Sequence, residues 1–167
     1  MQNINDQKEE ESPMIKRGGY QLPPKEGFIL THFLTVADVK RSAEFYLRIL
    51  GGNVVREGEP TIIQIANSWL IINVGGGPTD DKPTVTLRTP QYPNEASNFM
   101  NIRVADIRSC YEEWRKRGAE FLTEPKDHRF ESRWYMRDPD GYIIEVGQSK
   151  NGWRKWRFRR APAVLAG

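Results

Sequence analysis

Disulfide capacity is missing from this chain. Its 167 residues contain one cysteine, Cys110, and a single thiol makes no internal bridge. That excludes a disulfide-stapled secreted scaffold and fits a reducing compartment, so a soluble cytoplasmic protein is expected. Also absent is any apolar run near the roughly eighteen residues that a membrane span needs. The opening residues, with Glu9, Glu10 and Glu11, are too acidic for a signal peptide. What the chain does have is five Trp, six Tyr and seven Phe in a sequence that is 38% hydrophobic. That suffices for one compact domain, or for two small halves sharing a core. The mean hydropathy of -0.68 is low mainly because both ends are polar.

The formal charge of +3 is unevenly spread, from an acidic start to a basic end at Lys150, Arg154, Lys155, Arg157, Arg159 and Arg160. Trp153, Trp156 and Phe158 are interleaved with those cations, a pattern that nucleic-acid or membrane-surface contacts use. One short basic run is weak evidence, however. The favoured reading is a tail whose aromatics pack on the domain or on a second subunit. Neither nucleic acid nor membrane is expected as a partner.

Residues 1–27 lack periodicity and carry Gly18-Gly19 and Pro23-Pro24, so they are expected to form a flexible arm. Phe28 to Val36 is apolar and β-branched enough for a strand. Asp38 then offers a helix N-cap, with Val39, Ala43, Tyr46, Leu47 and Leu50 at helical spacing and Gly51-Gly52 closing the helix. Asn53 to Arg56 resumes as strand, and Thr61–Ile65 with Trp69–Val74 reads as a hairpin. The Gly/Pro/Asp-rich stretch from Gly75 to Asn94, with a short strand expected at Thr84–Leu87, connects this half to the next. Its triple glycine lacks the helix start and Lys-Ser/Thr of a phosphate loop.

The same order then repeats. Val104-Ala105-Asp106-Ile107 matches Val36-Ala37-Asp38-Val39, and Ile107, Cys110, Tyr111 and Trp114 form the helical stripe. Gly118-Ala119 replaces Gly51-Gly52, and Glu120–Leu122 is expected as a strand. After a polar loop around Lys126 to Arg129, Arg133–Arg137 and Tyr142–Gly147 flank Asp138-Pro139-Asp140-Gly141 as a hairpin. A β-α-β-β-β unit cannot bury its sheet alone, so two copies should share one core.

These paired features, Val36-Ala37-Asp38 before Ser42 and Phe45-Tyr46, then Gly118-Ala119 and Asp138 to Glu145, resemble the vicinal oxygen chelate superfamily, the glyoxalase/bleomycin-resistance/extradiol-dioxygenase fold. The resemblance implies an α+β fold in which two βαβββ modules, 28–74 and 97–148, form a half-open barrel around a shared cavity with helices outside. The domain would run over 28–148, with a basic aromatic tail over 149–167. A homodimer is implied as well. Metal-dependent members hold one divalent ion on carboxylates and histidines. Metal-free members sequester drugs or natural products.

Strand alternation nominates the cavity-facing residues. These are Thr31, Phe33 and Thr35 on the first strand, Phe99, Asn101 and Arg103 on its counterpart, and Ile143 and Glu145 on the last strand. Asn73 falls near the remaining position. At the family's ligand positions, Thr31 and Phe99 do not suit a metal, and His32 is one residue off, facing the opposite side. Glu145 alone matches, and catalytic metal sites normally need about three protein ligands. No metal is therefore assigned; if one binds, His32 and Glu145 are the candidates. Glu145 and Arg103 are expected as catalytic residues, Glu145 as base or ligand and Arg103 holding an anionic or enolate oxygen; alternatively Glu145 pairs with Arg103 across the cavity or contacts substrate. Thr31, Phe33, Thr35, Asn73, Phe99, Asn101 and Ile143 are expected to contact substrate. Cys110 and His32 have bland readings as a buried thiol and a structural histidine, and His128 is expected in solvent.

Two functions compete. One is a glyoxalase-like enzyme acting on a small carbonyl, enol or aromatic compound by proton transfer, isomerisation or lyase chemistry. The other is a metal-free protein that sequesters a drug or natural product.

Overall fold

The computed structural model describes residues 27–150. The expected N-terminal arm, apart from Gly27, and the Trp/Arg tail from residue 151 lie outside the described residues. The first module runs β1 (His32–Val36), α1 (Val39–Leu50), β2 (Asn53–Arg56), β3 (Thr61–Ile65) and β4 (Ser68–Val74). The second runs β5 (Met100–Arg103), α2 (Ile107–Lys116), β6 (Lys126–Asp127), β7 (Glu131–Arg137) and β8 (Ile143–Ser149). Each module makes one four-stranded sheet, ordered β1-β4-β3-β2 and β5-β8-β7-β6. In both, the first strand lies parallel to the last and the other pairs are antiparallel. The duplicated β-α-β-β-β order read from the sequence is therefore present, and the two sheets stay half-open.

Local chemistry sets the helix limits. Asp38 accepts the amide of Arg41 at 3.0 Å, and Gly51 ends α1 at φ 66°, a left-handed turn that glycine adopts without strain. Asp106 does the same for α2, accepting the amides of Arg108 and Ser109. Leu34, Ile63, Leu70 and Ile72 are buried under Tyr46 and Ile49 of α1, and Met136, Ile144 and Val146 are buried with Cys110 and Trp114 of α2. Each fully buried side chain of this size stabilises by roughly 1.5–3 kcal/mol. Trp134 centres the second core, with Phe121, Trp114 and Tyr111 ring centroids 4.9, 5.5 and 5.8 Å away.

Three elements differ from the sequence expectation. The first strand begins at His32, and Phe28 and Leu30 upstream are 94% and 85% exposed. Their apolar composition suited a strand, but strand pairing starts only at His32 opposite Leu70. Residues 120–122 contribute only a bridge, Phe121 to Met136, while the supposed loop at Lys126–Asp127 pairs with β7 as β6. Phe121 packs on Trp134, and backbone pairing there is confined to the Leu122 amide on the Tyr135 carbonyl and the Arg137 amide on the Glu120 carbonyl. The expected strand at Thr84–Leu87 reduces to one bridge, Leu87 to Gly76.

The Asp-Pro-Asp-Gly turn between β7 and β8 fastens one module to the other. Asp140 accepts from the Ala37 amide at 2.8 Å, Arg41 at 2.6 Å and the Ser42 hydroxyl at 2.5 Å. Tyr46 donates to Asp138, and Tyr142 donates to the Thr35 carbonyl at 3.0 Å. From the other side Arg117 reaches the Ile49 carbonyl at 3.0 Å. The stretch from Thr35 to Tyr46 and the Asp-Pro-Asp-Gly turn thus meet at the seam. Among the described residues, no helix is long and apolar enough to cross a membrane.

Candidate functional site

On the face of the second sheet opposite α2, strand register builds two rows of side chains. Asn101 on β5 lies beside Glu145 on β8, which lies beside Tyr135 on β7. One step along, Arg103 lies beside Gly147, which lies beside Arg133. Residues two apart on a strand share a face, so both rows look the same way, with Phe99 and Ile143 continuing them.

The Glu145 carboxylate is 6% exposed, and a charge at that depth needs partners. It has them: Asn101 Nδ2 donates to Oε1, and the Tyr135 hydroxyl donates to Oε2 at 2.5 Å. Burial raises the Tyr135 phenol above its usual range, and the bond to Glu145 raises it further, so the phenol stays protonated as the donor. Arg103 Nη1 lies 4.0 Å from Glu145 Oε1. Arg103 and Glu145 thus lie within ion-pair reach on neighbouring strands of one sheet rather than across the cavity. Arg103 hydrogen-bonds Glu131 at 2.9 Å and the Ser149 hydroxyl at 3.0 Å. Arg133 holds the other oxygen of Glu131 at 2.9 Å. Burial acts to raise the Glu131 carboxyl, but its bonds and charge contacts with Arg103 and Arg133 together hold it below the ordinary range.

Tyr135, Glu131 and Arg133 were not among the residues chosen from the sequence. The register of β7 against β8 selects them, and alternation along Arg133–Arg137 already put Tyr135 and Arg133 on one face. Phe99 is 48% exposed and packs edge-on against Tyr135 at 6.1 Å. Ile143 borders a groove of about 630 Å³ whose other wall is the connection from Arg88 to Asn98. That stretch read as a plain connection in the sequence.

The first sheet carries the remaining candidates. Phe33 lies beside Ile71 and Thr35 beside Asn73 on one face, while His32 lies beside Leu70 on the helix-facing side. Phe33 is 46% exposed, Thr35 is buried, and Thr31 sits half-buried just before the strand. The buried Oδ1 of Asn73 has no hydrogen-bond partner among the described residues. Among the described residues, no hydrogen bond or ion pair ties the Thr31, Thr35 or Asn73 side chains to Glu145.

A divalent metal does not fit these donors. His32 is on the opposite face of the other sheet, and burial holds its imidazole below the usual value. Both oxygens of Glu145 already accept hydrogen bonds, with a guanidinium beside them. Among the described residues, no group of three His, Cys, Asp or Glu side chains could hold an ion. Cys110 is buried on α2 and its thiol is pushed up to about 12, first by burial, so it is no nucleophile here. His128 is exposed on its loop, as expected.

Two sheets of this order, each backed by one helix and joined through an Asp-Pro-Asp-Gly turn, define a duplicated βαβββ protein. The family model for the glyoxalase/bleomycin resistance protein/dioxygenase superfamily matches residues 29–146, and the chain belongs to that superfamily. A probable lactoylglutathione lyase of Synechocystis sp. is 27% identical over 131 residues, covering 74% of this chain and 97% of the relative. Among solved structures, a glyoxalase/bleomycin resistance protein/dioxygenase from Nocardioides matches with a TM-score of 0.63 at 19% identity, over 83% of this chain and 93% of its own. TnmS3, an antibiotic binding protein from Streptomyces sp. CB03234, matches with a TM-score of 0.53 at 17% identity, over 75% and 98%. Both structural likenesses are likenesses of fold.

Proposed function

We propose that the chain is a small-molecule enzyme that moves a proton at a carbon next to a carbonyl, with Glu145 as the base and Arg103 facing the oxygen that becomes negative. The observation that carries this reading is the placement of Glu145, with one carboxylate oxygen on Asn101, the other on Tyr135, and Arg103 at 4.0 Å. Two cations, Arg103 and Arg133, and two carboxylates, Glu131 and Glu145, share the face, so the cluster is neutral at rest. When the carboxylate of Glu145 takes the α-proton, the C–H electron pair moves into the new C=C bond and the carbonyl pair moves onto oxygen. The cluster then carries one excess positive charge, opposite an enolate oxygen. A fixed cation facing charge that appears only in the transition state lowers the barrier selectively. For an α-hydroxy carbonyl compound, the hydroxyl proton passes to the enolate oxygen, and return of the proton from Glu145 to the former carbonyl carbon re-forms C=O at the hydroxyl-bearing carbon, which completes an isomerisation. Where a leaving group sits on the β-carbon, re-formation of the carbonyl expels it with its bonding pair and it takes the proton from Glu145, which completes a lyase reaction.

Phe33, Phe99 and Ile143 would supply apolar walls, and Thr31, Thr35 and Asn73 polar contacts. We further propose that the working domain spans 28–148, that it acts in the cytoplasm as the lone cysteine suggests, and that two copies pair as a homodimer. Sedimentation at micromolar concentration tests the pairing, and a monomer there contradicts it.

Sequestration of an aromatic compound is the second reading, supported by the exposed Phe99 edge-on to Tyr135. Exchange of α-protons into D2O separates the two. An enzyme exchanges at least one member of a panel of small α-hydroxy carbonyl compounds that includes S-lactoylglutathione. A sequestering protein binds aromatic ligands and exchanges none.

A further inference from the structure

Gly147 sits in the middle of the Arg103–Gly147–Arg133 row, where any side chain would project between the two arginines. A Cβ built there would stand 2.2 Å from Arg103 Nη1, 2.8 Å from Cζ and 3.4 Å from Nη2. Two atoms of one guanidinium, Nη1 and Cζ, therefore occupy the space that a β-carbon would take, while Nη2 is already at ordinary contact distance. Gly147 does not carry a positive φ, so its backbone does not require glycine. What requires glycine is the arginine lying across it.

We infer that Gly147 is a positioning residue: its missing side chain lets the Arg103 guanidinium lie against the sheet, where it reaches Glu131, Ser149 and the neighbourhood of Glu145. The inference rests on the reading of Arg103 given above. Arg103 carries a long flexible stem, and its head is held from three sides of the row. Glu131 takes Nη1, Ser149 takes Nη2, and the flat surface over Gly147 takes the plane of the group. A methyl group at position 147 would leave the strand pairing intact but lift the guanidinium off the sheet and away from the carboxylates. The effect would be confined to one side chain, because the atoms in conflict all belong to it.

The test uses Gly147→Ala, Arg103→Ala and the double variant of the full chain. Phenylglyoxal modification of Arg103, followed site by site with mass spectrometry, reports whether its two held nitrogens have been released. In Gly147→Ala the rate at Arg103 should rise at least several-fold, while the rate at Arg117, anchored in the other seam, stays unchanged. α-Proton exchange should fall by a similar factor in both single variants and no further in the double variant, with kcat bearing more of the loss than KM. Should Gly147→Ala fold poorly, the double variant settles the matter, since deleting the Arg103 head removes the atoms in conflict among the described residues and should restore the denaturation midpoint of Arg103→Ala. An unchanged modification rate, or a double variant less stable than Arg103→Ala, overturns the inference. A faster modification with exchange undiminished in both single variants contradicts the catalytic reading of Arg103, and the positioning role falls with it.

Discussion

The Tyr46 hydroxyl, on the helix of the first module, donates to Asp138 Oδ2 at 2.7 Å, in the turn of the second. Tyr46 is fully buried and Asp138 is 5% exposed, so this bond crosses the seam out of reach of water. Tyr46→Phe keeps the ring in the core but leaves a buried acceptor one donor short. A loss of about 1–3 kcal/mol in urea unfolding is expected, with little change in m-value.

The same carboxyl gives the seam a pH dependence. Burial raises Asp138 above its ordinary 3.8, outweighing the donors Tyr46 and the Tyr142 amide that act to lower it. The folded chain therefore holds this proton more tightly than the unfolded chain. The stability that follows is complete below about 3.8 and is lost as the pH rises through the folded value. Asp138→Asn removes the titration, so the stability of the variant relative to wild type should climb over the window that opens at the ordinary 3.8 and closes as the pH passes the folded value. Denaturant midpoints across that window check it. A constant difference would show that Asp138 does not bind its proton more tightly in the fold.

Gly52 is close-packed for a different reason from Gly51. A Cβ there would lie 2.7 Å from Ile63 Cγ2 and 3.3 Å from the Gln64 carbonyl oxygen, against a fully buried side chain on β3. Gly52→Ala should cost about 1–3 kcal/mol through overpacking. Gly77→Ala, with nothing within 4 Å, should fall within about 0.5 kcal/mol of wild type. Thermal unfolding of the pair makes the comparison.

Cys110 offers a chemical check on the core. Its thiol is fully buried and raised to about 12, so it should resist a thiol reagent at mildly alkaline pH in the native protein and react stoichiometrically in denaturant. Rapid reaction of the native chain would show that α2 lifts from its sheet.

Much of the architecture was legible because it rests on local chemistry. Asp38 and Asp106 as caps, Gly51 as a left-handed stop and the repeated order of elements needed no tertiary information. The shared face of Phe99, Asn101, Arg103 and Glu145 followed from alternation, since a period of two leaves each strand only one choice of side. The partners of Glu145 were harder to see. Tyr135 meets it only because the β7–β8 register places the two opposite each other, and Glu131 takes Arg103 because β7 extends two residues beyond the expected start. The strand expected at Glu120–Leu122 shortens to a bridge on β7, and the packing of Phe121 on Trp134 there is a tertiary contact that neighbours in sequence do not show.

Whether Glu145 moves a proton is tested most directly by Glu145→Gln, which keeps the shape and removes the basic oxygen. α-Proton exchange into D2O and ligand affinity should be measured on the same preparations of both proteins. Exchange slowed by roughly 10²–10⁴ with affinity held within a few-fold is the expected result. Equal exchange rates in the two proteins, or tight binding with no exchange in either, would contradict it.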